Sequence, residues 1–288
     1  LGMLEKATQP ITAATLDALP SGLGALYLEF IERVARKDPA RWSSQHALVL
    51  GTLVAAQEEM SAEEIARFSG LDDARVAAVI LDIGQLFDVD PETGKYALYH
   101  RSFSDFLVDR RAAQEYHCDL DAQHRRIVEA WRKAPDTPDY ALRNIAAHLF
   151  ALRADAEMRK HLYALASRTR MEKKRAVLGS DASFANEMAR VAEAAAMGGD
   201  LVEEIRATSI LTALRSRAAS VPAKLLALLA RIGELDRARG YLSLPMTAAS
   251  RYKVTSEVGR LLMASDPGAA EEFLLEAIDS APNESAAN

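Results

Sequence analysis

Leu86-Phe87-Asp88-Val89-Asp90-Pro91-Glu92-Thr93-Gly94-Lys95-Tyr96-Ala97-Leu98-Tyr99-His100 is the stretch on which the fold turns. Apolar and polar residues alternate over 86–90 and again over 95–100, the period-two pattern of a strand with one covered face. Between them Pro91 fixes φ and Gly94 tolerates a positive φ, the requirements of a tight reversal. The two halves therefore predict a β-hairpin, and nothing else in the 288 residues reads as clearly as β.

Upstream, everything has helical period. Val76, Val79, Ile80 and Ile83 line one face of a segment opened by Asp72-Asp73. Ser61-Ala62-Glu63-Glu64 is a capping box, the serine oxygen accepting from an early amide while Glu64 reaches back, and that helix ends at Gly70. An apolar helix is expected over about Ser43 to Ala56, with Leu48, Leu50, Leu53 and Val54 inside. Another, over Leu23 to Lys37, places Leu23, Leu26, Tyr27, Phe30, Ile31 and Val34 on one face before Pro39 ends it. Three helices followed by a hairpin is the order of a winged-helix domain.

Downstream the chain reads as helix, with segments near 102–116, 121–133, 138–152 and 155–166 and a join marked by Pro135 and Pro138. From about 184 to 280 the segments pair up. Ala238, Tyr241 and Leu242 match Ala270, Phe273 and Leu274, and Gly199-Asp200-Leu201 faintly matches Gly233-Glu234-Leu235. Those spacings sit near the ~34-residue unit of tetratricopeptide (TPR) repeats. Leu225, Leu226, Leu228 and Leu229 read as core, and Tyr241, Tyr252 and Phe273 as core or groove. The expected fold class is mainly α: a winged-helix domain with one β-hairpin wing, a helical bundle, then a TPR-like α-solenoid.

Composition narrows the chemistry. With 35 Lys+Arg against 41 Asp+Glu the net charge is −6, the wrong sign for a protein that lives on phosphate contacts. The helix carrying Asp72, Asp73 and Asp82 with only Arg75 in opposition would repel a DNA backbone. Nucleic acid is accordingly set aside as a partner. Cys118 is the only cysteine, which excludes an internal disulfide and a thiolate zinc cluster and fits a reducing, cytoplasmic setting. No apolar run reaches the ~18 residues of a membrane span, and the start has no signal-peptide order.

His117, Cys118, Asp119, Asp121 and His124 crowd into eight residues, but a helix break at Asp119–Asp121 would keep them from converging on a metal, so no metal is expected. Arg168, Arg170, Lys173, Lys174 and Arg175 form a basic run, read here as a solvated face or interdomain linker. No catalytic pattern is evident, and the chain is expected not to be an enzyme by itself.

Tyr99-His100-Arg101-Ser102-Phe103-Ser104-Asp105-Phe106-Leu107 resembles the end of the winged helix in STAND signalling NTPases of the NACHT class. Leu19-Pro20-Ser21-Gly22-Leu23 with Tyr27 and Phe30 resembles the helix that follows the nucleotide-binding core in that family. Glu115-Tyr116-His117, His124-Arg125-Arg126-Ile127 and Ala147-His148-Leu149 resemble the helical stretch after the winged helix, so the likeness spans about residues 10–165. It implies that His100, at the position of the family's phosphate-sensing histidine, contacts the β-phosphate of ADP and holds a resting state. With the repeat spacing it gives an expected layout: 1–40 linking to an NTPase core, a winged helix over 41–118, a helical linker bundle over 119–180 and, from the spacing, TPR-like repeats over 181–288.

This sequence departs from the family in lacking the Gly-x-x-x-x-Gly-Lys-Ser/Thr phosphate cradle; Gly94-Lys95 is the only Gly-Lys pair, and Val89 stands where the first glycine would be. ADP or ATP and magnesium are therefore expected only with an NTPase core N-terminal to Leu1, this chain being a piece of something longer. The repeats would bind a protein trigger or partner, with homo-oligomer formation on activation allowed for. Bacterial defence signalling is the family setting. The alternatives left open are a winged-helix transcription regulator with a repeat domain and a stand-alone interaction scaffold.

Overall fold

A computed structural model describes residues 22–133, 139–219, 221–242 and 247–281. The Leu19-Pro20-Ser21 stretch and the Pro135/Pro138 join lie outside the described residues. The chain is mainly helical with one small antiparallel hairpin. It divides into two compact units, and the division falls between Tyr140 and Ala141.

The first unit opens with α1 (Leu23–Lys37) and the short α2 (Pro39–Arg41), whose first amides are met by the Asp38 side chain accepting from Arg41 N. A π-helical turn over Trp42–His46 then leads into α3 (Ala47–Ala55), where a helix begun at Ser43 was expected. The wide turn stacks the His46 ring on Trp42, centroids 5.7 Å apart, and brings Trp42 edge-on to Tyr116. His46 is buried, with Nε2 3.3 Å from Asp82.

Local chemistry sets the next elements. In α4 (Ala62–Ser69) Ser61 Oγ accepts from Glu64 N and Glu64 accepts from Ser61 N, and Gly70 closes the helix at φ 78°. Asp72 caps α5 (Asp73–Ile83) by accepting from Arg75 N. Strands β1 (Phe87–Val89) and β2 (Tyr96–Leu98) pair in antiparallel register, Phe87 opposite Leu98 and Val89 opposite Tyr96. Asp90 organises the reversal: its carboxylate accepts from the Glu92 and Thr93 amides, which holds its pKa below the usual value, and Gly94 takes φ 66°. On its other edge Tyr96 exchanges two backbone bonds with Met60, from the α3–α4 connection, so the hairpin is laid against the helices rather than projecting free.

One long helix was expected over 102–116. Instead α6 (Arg101–Val108) stops at Asp109, and α7 (Arg110–Ala113) and a 3₁₀ turn follow. Asp109 takes extended backbone angles and its side chain accepts from the Arg111 and Ala112 amides, so an aspartate that could have sat mid-helix caps a new one. The break lets α6 and α7 both pack on α1. Helix α8 (Leu120–Lys133) covers α3 and α4. The start of α9 (Asp139–Ala151) completes the unit: Tyr140 is fully buried beside Phe68, its hydroxyl accepting from Gln57 N at 3.0 Å.

In the second unit the rest of α9 is followed by α10 (Ala156–Ala164), α11 (Arg168–Leu178), α12 (Ala182–Gly198) and α13 (Leu201–Ala219), with α12 and α13 closely paired. Then come α14 (Ala223–Arg231), α15 (Leu235–Leu242), α16 (Ala248–Leu262) and α17 (Pro267–Asp279). These four share one core in which Ala238, Leu242, Ala270 and Phe273 are all buried. Gly199 and Gly233 both hold positive φ, 73° and 86°, at helix ends.

Leucines 225, 226, 228 and 229 do not all enter that core as expected: Leu226 is buried and Leu229 packs against it, but Leu225 and Leu228 are exposed. A helix covered along one stripe hides positions three and four apart, not four leucines in five. Tyr241 lies against the core and Tyr252 is largely exposed. Among the described residues no helix is long and apolar enough to cross a membrane.

The α16–α17 crossing is close because Gly259 lacks a side chain. A Cβ there would lie 2.7 Å from Leu274 Cγ and 3.0 Å from the Ala270 carbonyl oxygen. Gly259→Ala gains about 1 kcal/mol of helix propensity but loses about 1–3 kcal/mol to overpacking. The expected outcome is a net loss of up to about 2 kcal/mol in urea unfolding followed by far-UV circular dichroism; an unchanged or raised midpoint would show that the crossing yields freely.

Candidate functional site

Strand β2 ends at Leu98, and Tyr99 N still donates to Leu86 O, so the hairpin carries the chain rigidly up to His100. There the backbone remains extended, and His100 becomes the N-cap of α6, its Nδ1 accepting from Ser102 N at 3.1 Å. Nδ1 also lies 2.7 Å from Ser102 Oγ, which in turn lies 2.8 Å from the Tyr27 hydroxyl of α1. Phe103 and Phe106, on the inner side of α6, are buried and hold the Tyr27 ring at centroid distances of 5.0 and 5.6 Å. His100 itself is exposed. The motif Tyr99–Leu107 thus splits by face: Phe103 and Phe106 anchor α6 against α1, while Tyr99 and His100 stand at the surface on a preorganised turn.

The amide donating to Nδ1 occupies the lone pair of that nitrogen, which places the imidazole proton on Nε2. An Nε2–H directed to solvent is a donor suited to an anionic oxygen, and a phosphate is such a partner.

Against known protein families, curated proteins and solved structures alike, the chain shows no match.

The other candidates resolve differently. Cys118 is half-buried, its amide donating to Leu107 O at 2.7 Å, and burial followed by the nearby Asp119 charge pushes the thiol up to about 11, so it carries no thiolate near neutral pH. Asp119 is occupied in accepting from Ala122 N, and burial lowers the pKa of His124. Among the described residues no three His, Cys, Asp or Glu side chains are grouped to hold a metal ion. Of the acidic helix, Asp72 is a cap paired with Arg75, and Asp82 accepts from Arg41 at 2.7 Å. Two of its three carboxylates are therefore already engaged.

The basic run, expected as a solvated face or interdomain linker, is solvated only in part: Arg168, Lys173 and Arg175 are exposed, while Arg170 and Lys174 are not. Lys174 is fully buried, and its ammonium lies 2.5 Å from Glu187 and 2.7 Å from Ser183 Oγ. Arg170 grips the same carboxylate through both Nε and Nη2, at 2.9 and 2.7 Å. Arg175 pairs bidentately with Asp181 and Arg168 with Glu172 at the surface, so only Arg170 and Lys174, one turn apart on α11, point inward. The period was present in the sequence, but charge alone could not reveal it without the position of Glu187.

Proposed function

We propose that this chain is the regulatory and sensing segment of a STAND-class signalling NTPase, in which a winged helix clamps a nucleotide-binding core and TPR-like repeats receive a protein trigger. The observation that carries it is His100, the residue at which the Tyr99–Leu107 resemblance puts the phosphate sensor. It is exposed, caps α6 through Nδ1, and so keeps an Nε2–H as its donor. A winged-helix arrangement is supported by the three helices α3, α4 and α5 directly ahead of the hairpin and by Met60 pairing with the outer edge of β2. A repeat arrangement is supported by Ala238 and Ala270, matched in sequence and both buried in one core, and by the matched Tyr241 and Phe273, of which Phe273 is buried in that core and Tyr241 packs against it.

His100 fits a phosphate oxygen and little else here would hold a nucleotide, since this sequence has no phosphate cradle. When bound to the core, ADP would supply the terminal anionic oxygens. His100 would be the residue that donates to one of them, with the hairpin and α6 fixing that donor, so that nucleotide retention and a closed arrangement would stabilise each other.

The test is nucleotide release from a full-length protein carrying the core. A hydrogen bond to a charged group contributes about 1.5–3 kcal/mol, so His100→Ala is expected to speed ADP release about tenfold or more and to raise basal signalling. Release at the wild-type rate removes His100 from sensing. A full-length protein without a Walker A motif would overturn the assignment altogether.

A further inference from the structure

We infer that Tyr27 and Ser102 are positioning residues that select the protonation form of His100 and tie it to the placement of α1. The inference rests on the proposed function only for the identity of the ligand; its geometry is independent of it. Three contacts define the relay: Tyr27 OH to Ser102 Oγ at 2.8 Å, Ser102 Oγ to His100 Nδ1 at 2.7 Å, and Ser102 N to the same Nδ1 at 3.1 Å.

The directions of these bonds are not free. The Ser102 amide can only donate, so Nδ1 must accept. The Ser102 hydroxyl, 2.7 Å from the same nitrogen, shares its single lone pair with the amide in a three-centre bond, which leaves the Ser102 oxygen to accept from the Tyr27 hydroxyl. An imidazole protonated on Nδ1 would face the amide N–H donor to donor. The relay therefore favours the form protonated on Nε2, the edge that meets solvent.

Tyr27 sits 75 residues before Ser102 on a different helix, and its ring is held by Phe103 and Phe106. Displacing α1 withdraws the Tyr27 hydroxyl, frees the Ser102 hydroxyl to turn away and weakens the preference at His100. An outside movement transmitted through α1 would thus reach the sensing nitrogen without any contact to the ligand.

Two conservative variants separate the relay from the packing. Tyr27→Phe keeps the ring between its aromatic neighbours, and Ser102→Ala keeps the capping amide. The full chain labelled with ¹⁵N-histidine reports the two neutral imidazole forms at about pH 9, with His100 assigned through His100→Gln and folding checked by circular dichroism. The wild type is expected to show the Nε2–H form in excess. Losing one hydrogen bond in Ser102→Ala should cut that ratio about fivefold, with a smaller fall in Tyr27→Phe. A dominant Nδ1–H form in the wild type, or a Ser102→Ala ratio equal to the wild-type one, would overturn the inference. This readout needs no nucleotide, so its failure leaves the sensing assignment standing, and failure of the release experiment leaves the relay standing.

Discussion

Glu187→Leu is expected to destabilise the second unit by about 3–5 kcal/mol, because it strands Arg170 and the fully buried Lys174 without their common counter-charge. The complementary change behaves differently. As it stands the cluster holds two cations against one carboxylate, so Lys174→Met leaves Arg170 and Glu187 as a matched pair and replaces a buried charge with a chain of similar length. That variant should cost less than about 1 kcal/mol or stabilise, as buried ion clusters often do when replaced by apolar groups. Both tryptophans, Trp42 and Trp131, lie in the first unit. Urea unfolding followed by circular dichroism should show the Glu187→Leu loss, the tryptophan signal being a reporter of the first unit. Equal losses in both variants would mean that the triad acts through packing volume rather than charge.

The same triad sets a pH dependence. Burial pushes the Lys174 ammonium down to about 8, against the opposing pull of Glu187, and Arg170 and Arg190 add to the lowering. The unfolded chain holds that proton up to the ordinary lysine value of 10.5. Below pH 8 both states are protonated and the fold carries the cost of the buried charge. As pH climbs from about 8 towards 10.5 the folded state releases the proton first, so stability rises across that window, by on the order of 3 kcal/mol. Subtracting the Lys174→Met profile isolates this contribution from other groups; a difference curve flat over the window would refute it.

The second large effect is in the first unit. Phe103→Ala should cost about 3–5 kcal/mol, since a fully buried ring is removed from between Tyr27 and Phe106 and α6 cannot collapse onto the gap without giving up its cap at His100. Here the tryptophan transition, which reports the first unit, is expected to move to lower urea. A loss under about 1 kcal/mol would show that the seam between α1 and α6 repacks freely.

Much of this was legible because it is local. The Ser61–Glu64 box, the Asp72 cap, the Gly70 stop and the Gly94 turn each depend on residues within four positions of one another, and each stands where the sequence put it. His100 was also legible, either as a phosphate contact or as a residue that caps the hairpin and bonds to backbone; that its backbone bond caps α6 shows only in the structure. The α6–α7 break was not, because Asp109 serves equally as a helical residue or as a cap until α1 is there to be packed against. The inward turn of the basic run was missed for the same kind of reason: its partner Glu187 lies 17 residues from Arg170, on the next helix.

By itself, then, the sequence determined the mainly helical class, the hairpin and its register-setting turn, and most helix ends, since backbone propensity and capping act over a few residues. Tertiary structure alone decided which charges are buried, which leucines of α14 are covered, and that a tyrosine of α1 reaches His100 through Ser102. Those outcomes depend on partners tens of residues away, and only packing brings such groups within hydrogen-bond distance.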